Sequence, residues 1–95
     1  MSLPVWTVDT WKVKPSRESH FLQNCGALSP AVLTLFKDLE KPGFFWSPAK
    51  WESQDALHEW RRSDRYKAAW SVIDQDVLER ATHLMESLPE YPPQR

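Results

Sequence analysis

The sequence predicts an α+β fold of element order β-α-β-β-α-β, and three observations carry the prediction. Residues 5–14, VWTVDTWKVK, are rich in β-branched and aromatic side chains and read as a strand. Residues 31–37 and 44–51, AVLTLFK and FFWSPAKW, read as two more strands, and the DLEKPG between them is short enough to make a hairpin, with Pro42 and Gly43 as turn residues. Residues 49–70 then pass from a Trp-ended strand into a helix in two segments. There Tyr66, Ala69, Trp70 and Ile73 recur at the i, i+3, i+4, i+7 spacing of one buried stripe.

The elements follow in order. In the first strand Trp6, Val8 and Thr10 share one face, and Val5, Thr7, Trp11 and Val13 share the other. Both faces carry large apolar groups, so neither is suited to water. Pro15 ends the strand. Ser16 is read as the cap of a short helix over residues 16–25, with Phe21 and Cys25 on its buried stripe and Gly26 as its C′ residue. Pro48 lacks an amide hydrogen, which predicts an edge, a bulge or an unpaired position for it. Ser53 and Ser63 are the predicted N-caps of the two segments of the second helix, with Asp55 and Asp64 beside the positive ends of their dipoles. The opposite helix face carries Glu59, Arg61, Arg62, Arg65 and Lys67, a solvated face. Residues 74–80 fit either a helix extension or a loop. Residues 81–86 are the predicted fourth strand, with His83 between Ala81 and Met85 on one face and Thr82 and Leu84 on the other. Residues 88–95 form a Pro-rich tail.

This order is the split-βαβ, ferredoxin-like plan. Its helices cover one face of a four-stranded sheet. The apolar groups on both faces of the first strand then leave a patch too large for a monomer. A second copy of the sheet is the simplest cover, which predicts a homodimer.

Ninety-five residues make one domain, 1–95. A net charge of -1 argues against a general nucleic-acid binder, and acidic residues interrupt the basic cluster at 61–67. Cys25 is the only cysteine, so no internal disulfide can form. Its lone presence fits a reducing compartment. The N-terminus has no basic region followed by an apolar run, and no apolar run approaches the roughly 18 residues of a membrane span. The expectation is a cytoplasmic protein that binds no membrane. The three histidines and the cysteine show no metal-ligand spacing, and no phosphate loop, dinucleotide fingerprint or Ser-His-Asp set is present.

The run AKWESQDALHEWRRSDRYKAA, residues 49–69, resembles the signature of the antibiotic biosynthesis monooxygenase (ABM) family: a strand-ending Trp, a capped helix start, a short Ser-Asp break and a helix with an aromatic and small residues. VKPSRESHFL, residues 13–22, is similar to that family's junction after strand one, and the resemblance spans roughly residues 5–86. It implies a dimeric α+β barrel with a pocket between sheet and helices. It also implies either oxygenation of polycyclic phenols and quinols without a cofactor, or haem degradation. In the haem-degrading branch the ligating His falls where this chain has Trp70, and a pocket Asn falls at about Val8, so both groups are missing here.

Trp51 and Trp70 either pack in the core or flank a flat ligand. On the family's pattern the Trp6 and Val8 face points toward the helices. The expected pocket is therefore lined by Trp6, Phe45, Ser47, Trp51 and Trp70 as substrate-binding residues, with His83 and Tyr66 as its polar, catalytic groups. A His in such a pocket could deprotonate a phenol, giving an electron-rich anion that reacts with oxygen. The expected function is a cofactor-independent monooxygenase of a small aromatic or quinol-type molecule, needing no metal. The alternative is a non-catalytic small-molecule binder or accessory protein of the same fold.

Overall fold

A computed structural model describes residues 4–25 and 31–88. It contains β1 (Val5–Val13), α1 (Glu18–Asn24), β2 (Phe36–Lys37), β3 (Phe44–Trp51), α2 (Gln54–Arg62), α3 (Asp64–Ile73) and β4 (Val77–Met85). The strands form one antiparallel sheet of order β2-β3-β1-β4. This is the expected α+β, ferredoxin-like plan. Gly26 and residues 89–95 of the expected tail lie outside the described residues.

Side-chain parity in β1 decides which face meets the helices. Val5, Thr7, Trp11 and Val13 are buried there, whereas Trp6, Val8 and Thr10 lie on the helix-free face. The expectation that Trp6 points toward the helices is therefore corrected. Both faces of β1 are apolar, and the choice is made by its neighbours. Thr7 opposes Ala49 and Trp11 opposes Phe45 on β3, two residues that are themselves buried under the helices.

The buried side chains form two clusters. Trp11, Val13, Phe21, Phe45, Ala69 and Ile73 pack between the sheet and α1 and α3, with half-buried Cys25 against them. Val5, Ala49, Trp51 and Leu57 pack under α2. Cys25 behaves as a small apolar group whose burial pushes its thiol pKa up.

Local chemistry explains most element boundaries. Ser53 accepts from Ala56 N and Ser63 from Tyr66 N, both at 3.1 Å, so the two expected caps form and split the second helix at Ser63. Ser63 also donates its hydroxyl to Trp60 O, closing the end of α2. Ser16 does not cap α1. It sits in a 3-10 turn, Pro15–Arg17, and α1 begins without a side-chain cap. In the hairpin, Asp38 Oδ1 accepts from Glu40 N and Lys41 N and Oδ2 accepts from Trp46 Nε1, and these bonds hold its carboxyl below the usual range. Gly43 ends that turn at φ +82°.

β2 is shorter than the seven-residue strand read from residues 31–37, and Pro48 is the reason. Its carbonyl accepts from Leu33 N, so its missing N–H also faces the outer segment. Only a single bridge, Val32 to Ala49, joins that segment to β3 there before the ladder resumes at Phe36.

The stretch 74–80 resolves into a 3-10 turn, Asp74–Asp76, followed directly by β4, which starts at Val77 and not at 81. Asp76 anchors the turn. Its side chain is fully buried and accepts from Arg17 Nε at 2.7 Å and His20 Nδ1 at 2.5 Å. Its carbonyl accepts from Lys14 N, and Lys14 Nζ donates to Gln75 O. His20 is thus a partner of a buried carboxylate and not a plain surface residue. Burial alone would raise the Asp76 pKa, but the bonds and charges from His20 and Arg17 outweigh it and hold the carboxyl below its ordinary value.

A carboxyl with a folded-state pKa below its unfolded one adds stability that is complete above about pH 4 and is lost as pH falls through the folded value. Asp76→Asn should lower the melting temperature at neutral pH by about 6–12 °C or more, the scale of one charged hydrogen bond of about 1.5 kcal/mol in a domain this size. It should also flatten the acid limb of a melting-temperature profile taken from pH 7 to pH 2.

Candidate functional site

The two core clusters leave a cleft between them, floored by the middle of the sheet. On the helix face the floor carries Thr7, Asp9 and Trp11 from β1, Ala49 and Trp51 from β3, and Arg80 and Thr82 from β4. Leu57, Trp60 and Arg61 of α2 and Tyr66 and Trp70 of α3 form the roof. The cavity holds about 40 Å³, room for a few waters and far below the roughly 300–1,000 Å³ of a small-molecule site. Larger hollows of about 320 and 250 Å³ lie elsewhere. The cleft is nevertheless the better candidate, because here, unlike in those two hollows, aromatic faces converge with paired polar groups.

Two diagonal hydrogen bonds between the central strands build the floor. Trp11 Nε1 donates to Ser47 Oγ at 2.9 Å, and Trp51 Nε1 donates to Thr7 Oγ1 at 3.0 Å. Each buried indole on one central strand thus finds a hydroxyl on the other, diagonally across the pair. Above them runs a chain of tilted and edge-on rings: Trp60 to Tyr66 at 6.1 Å, Tyr66 to Trp70 at 6.2 Å, Trp70 to Trp11 at 5.6 Å.

Register places a polar row at one wall. Antiparallel pairing sets Thr82 opposite Asp9 and Arg80 opposite Trp11. Thr82 Oγ1 donates to Asp9 Oδ1 and accepts from Arg80 Nε and Nη2 at 3.2 and 3.1 Å. The Arg80 guanidinium lies 4.0 Å from the Trp70 ring centre and 5.6 Å from that of Trp11. Planar and cationic, it occupies the stacking position inside the cleft.

Of the residues expected in the pocket, Trp51, Tyr66 and Trp70 line the cleft. Phe45 and Ser47 are on the expected face of β3. Phe45, however, packs on Phe21 in the other cluster, and the Ser47 hydroxyl is committed to Trp11. Trp6 and His83 are elsewhere. His83 opposes Val8, Met85 opposes Trp6, and all four lie on the helix-free face, with His83 exposed. The expected placement of His83 in the pocket is corrected, because β4 is paired in the register that puts Thr82 inward. Asp9, Trp11, Trp60, Arg80 and Thr82 were not anticipated there. The signal for Asp9 was the alternation of β1, which puts it in phase with Thr7 and Trp11. Arg80 gave no comparable signal, since it fell in the stretch with two readings.

Comparison with known proteins agrees with this architecture. The sequence profile described as Antibiotic biosynthesis monooxygenase matches residues 4–71. No curated protein matches the chain in sequence. Among solved structures, a protein of Caulobacter crescentus CB15 named for the same family superposes with a TM-score of 0.80 at 20% identity, over 92% of each chain. A conserved protein of Methanosarcina mazei Go1 gives 0.78 at 19% identity, over 92% of this chain and 95% of the other. A Bordetella bronchiseptica protein, also named for the family, gives 0.79 at 16% identity, over 93% and 99%. At these identities the likeness speaks to the fold.

Ser47→Ala removes the acceptor of a buried indole N–H. It should cost about 1–3 kcal/mol, the penalty of an unsatisfied buried donor. In urea titrations this should appear as a lower midpoint with an unchanged slope.

Proposed function

The chain belongs to the antibiotic biosynthesis monooxygenase family, and on that premise we propose that it is a cofactor-independent monooxygenase acting on an aromatic or quinol-type small molecule bound in the cleft between sheet and helices. The observation that carries this reading is the convergence of Trp51, Tyr66 and Trp70 on one cleft with a polar row along its wall. A flat ring stacks on Trp70. The Tyr66 hydroxyl, which has no hydrogen-bond partner among the described residues, meets a ligand oxygen. Loss of the ligand's proton to water gives an electron-rich anion whose oxygen accepts from the Tyr66 hydroxyl, and dioxygen is the oxidant. One oxygen atom enters the ring, the other leaves as water, and all the electrons come from the substrate. Ligand entry needs the cleft to widen, because the cavity of about 40 Å³ is smaller than any such ring.

That small volume also favours a second reading, a non-catalytic binder or accessory protein of the same fold. Oxygen uptake with a panel of anthrones and hydroquinones, without added flavin or metal, separates the two. On the oxygenase reading turnover is measurable, and Tyr66→Phe lowers it by about 10²-fold, the scale of one hydrogen-bond donor to a developing oxyanion. His83→Ala leaves turnover unchanged, since His83 is on the other face of the sheet. No uptake with any member of the panel favours the binder.

We also propose that the helix-free face pairs with a second copy. It presents Trp6, Val8, Trp46, Pro48, Phe36 and Met85, and Phe36, Trp46 and Met85 are exposed to 56%, 39% and 45%. Sedimentation at micromolar concentration should give a dimer, and Trp46→Glu should shift it to monomer. Among the described residues no helix is long and apolar enough to cross a membrane.

A further inference from the structure

We propose that Arg80 selects the ligand of the cleft, favouring a planar aromatic that carries an anionic oxygen over a neutral one of the same shape. The inference rests on the reading of the cleft as a small-molecule site and deepens it.

Four observations support it. First, the guanidinium already occupies a stacking site, 4.0 Å from the Trp70 centroid, so a flat ring that enters must take its place on that indole. Second, beside its contacts with the Trp70 and Trp11 rings, Arg80 hydrogen-bonds only to Thr82 among the described residues, through two N–H groups that share one hydroxyl oxygen. Its three other N–H donors have no partner among the described residues, and they are what a displaced guanidinium offers to an incoming ligand. Third, among the described residues no carboxylate forms an ion pair with the guanidinium, and the cleft's own carboxylate, Asp9, meets it only through Thr82. Asp9 accepts from Thr82, and Thr82 presents its lone pairs to Arg80. Asp9 therefore orients the hydroxyl that holds Arg80 and leaves the fork of the guanidinium free for another anion. Fourth, the charges lining the cleft are unbalanced. Arg61 and Arg80 both line the cleft, against Asp9 alone.

The position of Arg80 allows the movement. It is exposed on β4, which is an edge strand, so its side chain can move off Trp70 and Trp11 toward solvent with no change in strand pairing. A ring stacked on Trp70 then has the guanidinium at its rim, where it pairs with a phenolate or carboxylate oxygen. A neutral ring of equal size displaces the same guanidinium and gains no charged partner in return.

Calorimetric titration with 2-naphthoate and 2-naphthamide tests this, since the two share a shape and differ in charge. Wild type should bind the naphthoate at least about tenfold more tightly, the scale of one charge-assisted hydrogen bond. Arg80→Gln should bind the two equally, with its affinity for the naphthamide equal to or above that of wild type. That retained naphthamide affinity also shows that the variant is folded. Equal affinities in wild type, or a preference for the naphthoate that survives in Arg80→Gln, overturns the assignment of Arg80 and leaves the cleft as a binding site. Failure of wild type to bind either compound overturns both readings.

Discussion

Two indole N–H groups buried between a sheet and its helices set the terms for this fold. Each needs an acceptor away from water, because an unpaired donor there costs a large share of a small domain's stability. Ser47 and Thr7 supply them across the central strand pair. Both bonds run between β1 and β3, so a slip of one strand against the other by one residue would break both and leave the two indoles on opposite faces of the sheet. The same hydroxyls put polar atoms in the middle of the layer. The apolar packing is consequently divided, one part under α1 and α3 and the other under α2, and the cleft lies where the parts fail to meet.

A second polar fastening joins the ends of the two halves. Asp76 draws Arg17 and His20 from the start of the first crossover onto the turn that follows α3, and Lys14 closes the same junction through backbone carbonyls. β4 leaves this turn with its register against β1 largely set. Thr82 then meets Asp9, Arg80 reaches Trp70, and His83 is turned away. The chemistry of the cleft wall is thus decided partly by a carboxylate that contributes nothing to the wall.

What could be read in the sequence was whatever local chemistry decides. Ser53 and Ser63 are caps because of the residues within three positions of them, and both were legible. The strands around Asp38 and Gly43, and the awkwardness of Pro48, belong to the same class. What could not be read depends on partners far along the chain. Val5 to Val13 offers two apolar faces, and only its partners on β3, Phe45, Ser47 and Ala49, choose between them, so Trp6 was assigned to the wrong side. Residues 74–80 carry no strong helix or strand period. Their structure follows from Arg17 and His20, more than fifty positions away, and with it the start of β4 and the facing of His83. Tyr66, Trp70 and Trp51 were legible as candidates because helical spacing and strand alternation govern them. Asp9, Thr82 and Arg80 form a site only through pairing.

The strand order has a consequence for how the chain comes to be folded. β1 lies between β3 and β4, and Asp9 meets Thr82 across a sequence separation of 73 residues. Closing so long a loop is entropically slow, and nothing local rewards it before the contact is made. During synthesis β1 and β3 can pair while β4 is still to be made, leaving one edge of β1 with its N–H and C=O groups unpaired. Every residue of the polar wall except Asp9 arrives with that last strand. The cleft is therefore the final part of the domain to exist, and a ligand that binds it stabilises the finished fold over every intermediate that lacks β4.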